Sequence, residues 1–110
     1  MAFVPQPKNV EVIEASPDRL DVRGVLTFAT ARFAFEAGVR ALRKRGASNA
    51  TLLIDCSGVT ESDSAGLAVL IEWLAAGERV GRKVHFANLP DGIRAAAQIS
   101  DVTSLLESAA

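Results

Sequence analysis

A chain of 110 residues, 49% of them apolar, is long enough for one compact domain with a core and too short for two. A formal net charge of −1, with acids and bases interspersed, provides neither the basic footprint of a nucleic-acid binder nor a polybasic membrane anchor. A single cysteine, Cys56, excludes an internal disulfide and any cysteine-rich metal site, in keeping with a reducing compartment.

The opening MAFVPQPKNV has no charged leader and long apolar core of a signal peptide, and Pro5 and Pro7 predict an extended lead-in. The longest apolar run, Ala65 to Gly77, is interrupted by Glu72 and too short to span a bilayer, so the expectation is a cytoplasmic protein without direct membrane insertion. NVEVIEA alternates at Val10 and Val12, with Ile13 less regular. SPD then turns the chain into RLDVRGVL, where Leu20, Val22, Gly24 and Leu26 face one way, and the two strands predict an antiparallel hairpin. Thr27 is the expected cap of a first helix reaching about Arg45, with Phe28, Ala31, Phe35, Val39 and Leu42 as its apolar set and Gly46 as its stop. Arg40, Arg43, Lys44 and Arg45 crowd its last turns, where cations answer the backbone dipole or bind an anion.

ATLLIDCSGV is a short apolar run bounded by turn residues, the pattern of a central strand in a parallel sheet. A second helix is expected from Ser64 to Val80 with Gly81 ending it, followed by a strand in KVHFANL. Pro90 opens a third helix through DGIRAAAQI, and DVTSLLES reads as a short terminal helix carrying Leu105 and Leu106 inward. The order predicts an α/β fold, a small mixed β-sheet with α-helices against it.

The stretch DSAGL, Asp63 to Leu67, draws the chemistry. A nucleophile elbow needs a glycine two residues to either side of its serine; Ser62 precedes Ser64 by two, and the single histidine, His85, lies on a later strand. A phosphate-binding loop needs a lysine that GVTESDSAGL lacks, which argues against a small nucleotide-binding protein. Asp55, Glu61 and Asp63 do not have the spacing of a calcium loop, and Cys56 has no cationic neighbour in sequence to activate it. The expectation is therefore a non-enzyme with no metal and no cofactor. Ser62, Asp63 or Ser64 is placed to cap the helix, and Gly66 to allow close packing on the sheet. A hydroxyl at a helix start is also where an added phosphate, with a charge of about −1.5 to −2, would meet free N–H groups.

Leu67, Leu70, Ile71 and Leu74 share one face of the second helix, suited to the sheet. Ala65, Val69, Trp73, Ala76 and Val80 form a second apolar strip, which either folds onto a neighbouring helix or faces a partner.

LLIDCSGVTESDSAGLAVLIEWL resembles the signature of STAS domains, in which a buried strand ends in an acid and leads into Asp-Ser/Thr-x-Gly-Leu at a helix start. The likeness runs from about Arg19 to Leu106 and implies a single STAS domain over residues 1–110, with its core at about 9–107. GRKVHFANLPDGIRAAAQISDVTSLLES is similar, more loosely, to the tail of MlaB-like STAS domains. That resemblance implies a non-catalytic accessory subunit binding the cytoplasmic ATPase, MlaF-like, of an ABC phospholipid transporter that maintains outer-membrane lipid asymmetry. It would lie peripheral to the inner membrane through that complex. The resemblance places Ser64 at that contact, and the loop and the second apolar strip extend the expected contact to Asp63, Gly66, Val69 and Trp73. The alternative is an anti-sigma factor antagonist, with Ser64 as a phosphoserine switch acted on by an anti-sigma serine kinase. Thr27 stands where many STAS domains carry an acid.

Overall fold

The computed structural model describes residues 9–108. The extended lead-in expected at Pro5 and Pro7 lies outside the described residues. The elements follow in the order β1 (Val10–Ser16), β2 (Arg19–Leu26), α1 (Ala31–Arg45), β3 (Ser48–Ser62), α2 (Ser64–Val80), β4 (Arg82–Ala87), α3 (Asp91–Ile99) and α4 (Thr103–Ser108). The sheet runs β1-β2-β3-β4, with β1 antiparallel to β2 and the other pairings parallel. This is the mixed α/β sheet expected, with β3 an inner strand. The connections β2-α1-β3 and β3-α2-β4 step across the sheet in the same direction, and right-handed crossovers of that kind put both helices on one face.

Period-two alternation decides what meets those helices. Cross-strand register aligns Leu20 with Ile54 and Ile54 with Phe86, and aligns Val12 with Val22. Leu20, Val22, Ile54 and Phe86 are buried with Leu26, Leu52 and Val84 beneath the helices. The opposite face carries Arg19, Asp21, Asp55 and His85. Arg82 stitches one end: it is buried, and its guanidinium donates to the Ala50 carbonyl at 2.5 Å and to Asp18 Oδ1 at 2.7 Å.

Three expectations need correction. The first helix does not begin at Thr27. The Thr30 hydroxyl donates to the Val25 carbonyl at 2.6 Å and accepts from the Thr27 N–H at 3.2 Å, which builds a turn and delays the helix to Ala31. Phe28 falls in that turn and is 86% exposed, so it is no part of the core. At the other end Leu106 is buried, but Leu105 is 44% exposed. The third correction concerns α2. Val69, Trp73 and Ala76 are as buried as Leu67 and Leu70, because α2 lies between α1 and α3 with the sheet beneath. The Trp73 indole is wholly buried, and its Nε1–H donates to the Phe35 carbonyl at 3.3 Å. Gly38 of α1 makes the seam possible, since a Cβ there would overlap the Trp73 ring.

Gly46 and Gly81 end α1 and α2 at φ 70° and 80°, the left-handed region in which glycine carries no Cβ penalty. The basic cluster of α1 divides in two. Arg45 donates to Glu14 and to the Ser16 carbonyl, both at 2.7 Å, and Lys44 reaches Glu14 at 3.6 Å, tying the helix end to the hairpin. The Arg45 hydrogen bond, with Lys44 nearby, holds the Glu14 carboxyl below its usual range. Arg40 and Arg43 remain exposed.

Candidate functional site

Three loops converge beyond the carboxyl ends of the parallel strands, where α/β folds gather their functional groups. They follow β2, β3 and β4. Asp63, after β3, is the N-cap of α2: its Oδ1 accepts from Ala65 N–H at 2.9 Å and Gly66 N–H at 3.2 Å. Its Oδ2 accepts from the Phe28 N–H at 3.1 Å, so one carboxylate joins the β2-α1 turn to the α2 start. Of the three residues placed to cap, Asp63 does so. Ser64 is instead the first residue of the helix, exposed, and its hydroxyl makes no hydrogen bond with the described residues. Capping is therefore not its role.

Gly66 is buried, and a Cβ there would run into the Leu26 carbonyl. Gly92 similarly lets the start of α3 rest on Ser62. Both glycines are close-approach positions, and Gly66, being buried, is not surface that a partner can touch.

Asp55 anchors the loop after β4. Its carboxylate accepts from Asn88 Nδ2 at 2.9 Å, Ser57 Oγ at 2.9 Å, Ser57 N–H at 3.1 Å and an Arg19 guanidinium nitrogen at 2.8 Å. The Asn88 bond foremost, with those from Ser57 and the charge of Arg19, holds the Asp55 carboxyl below its ordinary value against the opposing cost of desolvation. Asn88 adopts φ 57°, a conformation its short amide tolerates and this bond secures. Between the end of β3 and this loop lies an open cleft of about 750 Å³ whose lining includes Ser57, Thr60, Glu61, Asn88, Asp91 and Arg94.

The chemistry available is limited. The Asp63 carboxylate beside Ser64 is taken up by backbone N–H groups, and the single histidine, His85, is on β4, in register with Leu53 on the far face from the helices. Burial, with Asp55 adjacent, pushes the Cys56 thiol up to about 12, so it is protonated and unreactive at neutral pH. No group of three His, Cys, Asp or Glu side chains suited to a metal occurs among the described residues. No described helix is long and apolar enough to cross a membrane.

Of the five residues expected at a partner contact, the structure gathers Asp63, Ser64 and Gly66 at one end of the domain. It withdraws Val69 and Trp73 into the α1-α2 seam, at 4% and 0% exposure, where neither offers area to a partner. What the end does present is Phe28 at 86% exposure, hydrogen-bonded through its N–H to Asp63, with Phe33 of the first α1 turn at 45%. Assigning Phe28 to the helix core hid this residue. The TFAT stretch around it, with a threonine before and after, was the available signal of a turn.

The family model for the Mlab, STAS domain matches residues 11–107. Among solved structures the chain is similar to the unphosphorylated anti-sigma factor antagonist SpoIIAA, at 15% identity and TM-score 0.63, covering 86% of this chain and 83% of that one. It is also similar to part of SLC26A9, at 19% identity and TM-score 0.55, over 79% of this chain and 16% of that one. A third likeness is to Mglu, at 16% identity and TM-score 0.56, over 82% and 22% respectively. No curated protein matches the chain in sequence. At these identities the solved structures establish the shared fold.

Proposed function

The chain belongs to the MlaB-like STAS domains, a family of generally non-catalytic binding and regulatory modules, and from that membership we propose that it docks on a transporter ATPase. In this reading it is an accessory subunit that binds and stabilises the MlaF-like ATPase of an ABC phospholipid transporter. It works at the cytoplasmic side of the inner membrane through that complex and helps maintain outer-membrane lipid asymmetry. The observation that carries the reading is Phe28, an almost fully exposed aromatic ring whose backbone is tied to Asp63 beside exposed Ser64. An aromatic side chain held on a fixed turn loses little entropy when a partner covers it, which is how interface anchors behave. Asp63 acts by positioning the two loops, Phe28 and Phe33 supply apolar area, and Ser64 lies at the contact edge.

The test is co-expression with an MlaF-like transporter ATPase from the same genome, followed by size-exclusion chromatography. Wild type should co-elute; Phe28→Ala should weaken the complex at least about tenfold, and Ser64→Glu should weaken it by placing charge at the contact. Failure to co-elute, or undiminished binding by both variants, counts against the reading.

A second reading, as an anti-sigma factor antagonist, draws on the free Ser64 hydroxyl. Because Asp63 carries the cap, phosphorylation of Ser64 would leave the capping bonds in place. Intact-mass measurement after incubation with a candidate anti-sigma kinase and ATP distinguishes the two, since a stoichiometric phosphate lost in Ser64→Ala favours the second.

A further inference from the structure

The outer side of α1 carries a separate feature. A notch of about 450 Å³ is lined, among the described residues, by Phe35, Glu36, Val39, Arg40 and Arg43. Its floor is apolar: Phe35 is half-buried and Val39 is buried. Its charges are unequally engaged. Glu36 faces Arg32 at 3.8 Å, and Lys44 and Arg45 are directed to Glu14. Arg40 and Arg43, a turn apart on the same face, make no ion pair or side-chain hydrogen bond with any described residue. Two unneutralised guanidinium groups thus border an open depression with an apolar floor.

Guanidinium groups bind carboxylates through paired, charge-assisted hydrogen bonds, and an apolar depression gains from covering by an apolar side chain. We propose that this notch docks an acidic segment of a partner protein, with one apolar side chain seated over Phe35 and Val39 and flanking carboxylates on Arg40 and Arg43. A lipid surface fits less well: anionic membranes are recognised by clusters of about four to eight basic residues, and here two are free. The inference rests on α1 alone, so failure of the ATPase to co-elute leaves it standing.

The experiment is an amide chemical-shift titration of the full chain with a synthetic capped peptide bearing one leucine flanked on each side by two glutamates. Saturable shifts are expected at Phe35, Val39, Arg40 and Arg43. The Arg40→Glu, Arg43→Glu double variant, both on an exposed helix face, should bind at least about tenfold more weakly because attraction becomes repulsion. Arg40→Lys with Arg43→Lys, which keeps the charge but loses the paired geometry, should bind more weakly than wild type and more tightly than the double glutamate variant, and circular dichroism checks that each variant is folded. Absent or non-saturating shifts, or shifts unchanged in the double glutamate variant, overturn the proposal. So does a response of the same amides to phosphatidylglycerol vesicles but not to the peptide, or to protein concentration alone, which would assign the notch to a membrane or to a second copy.

Discussion

Asp63 satisfies three backbone N–H groups with two oxygens, two in α2 and one in the turn before α1. Asp63→Ala should therefore lower stability by about 1–2 kcal/mol in urea denaturation, whereas Ser64→Ala, at an exposed position without a hydrogen bond, should change it by less than about 0.5 kcal/mol. Equal effects would reverse the assignment of the cap. Residue type alone left Ser62, Asp63 and Ser64 equivalent, since each caps helices; the Phe28 N–H on the far carboxylate oxygen distinguishes them, and only the folded chain brings it there. Asp55 was expected to end its strand, but β3 continues past it to Ser62, and its partners were not legible because Arg19 and Asn88 lie 36 and 33 residues away. Its carboxyl is held below the unperturbed 3.8, chiefly by Asn88. A depressed folded-state pKa contributes stability above the unfolded value and loses it as pH falls through the folded value. The fall in urea midpoint from neutral pH to pH about 3 should accordingly be smaller in Asp55→Asn than in wild type, and an identical acid loss in the two proteins would remove Asp55 from that role.

Among the elements, α2 was readable to its ends because Asp63 and Gly81 punctuate it, and the start of α1 was not. Phe28 continues the apolar spacing of Ala31, Phe35, Val39 and Leu42, so periodicity extends the helix through a turn that the Thr30 hydroxyl actually imposes. Periodicity likewise says which residues share a face of α2 but not what covers the face. The overlooked signal was Gly38: a glycine inside a helix costs about 1 kcal/mol against alanine, a cost that often marks close approach by another group. That group is Trp73. Gly38→Ala should thus destabilise the domain by about 1–3 kcal/mol through overpacking, despite the better helix propensity of alanine. Because Trp73 is the single tryptophan, its fluorescence reports the seam directly. In wild type it should be blue-shifted and shielded from iodide, and red-shifted and quenched on unfolding. A red-shifted, iodide-accessible signal in the folded protein would contradict the buried indole.

At the scale of the whole molecule, the core that stabilises the fold and the proposed docking surface are different parts of the domain. The sequential strand order and two like-handed crossovers stack the helices on one face, where Trp73, Phe86, Leu70 and Ile54 are sealed. The same connections return every β-α loop of the parallel strands to one end, where Phe28 and Ser64 lie outside the core. Removing a side chain that the fold barely covers forfeits little burial on folding, yet removes whatever area it would bury against a partner. Phe28→Ala and Ser64→Glu should accordingly melt within about 2 °C of wild type while losing ATPase binding. Trp73→Ala should lose about 3–5 kcal/mol of stability, and its binding should fall only with the folded fraction. Thermal melts and binding titrations on the same four proteins test the division. A Trp73→Ala protein that is folded at the assay temperature but binds as poorly as Phe28→Ala would mean that the seam itself shapes the contact, and that docking is transmitted through α1 and α2 rather than confined to their ends.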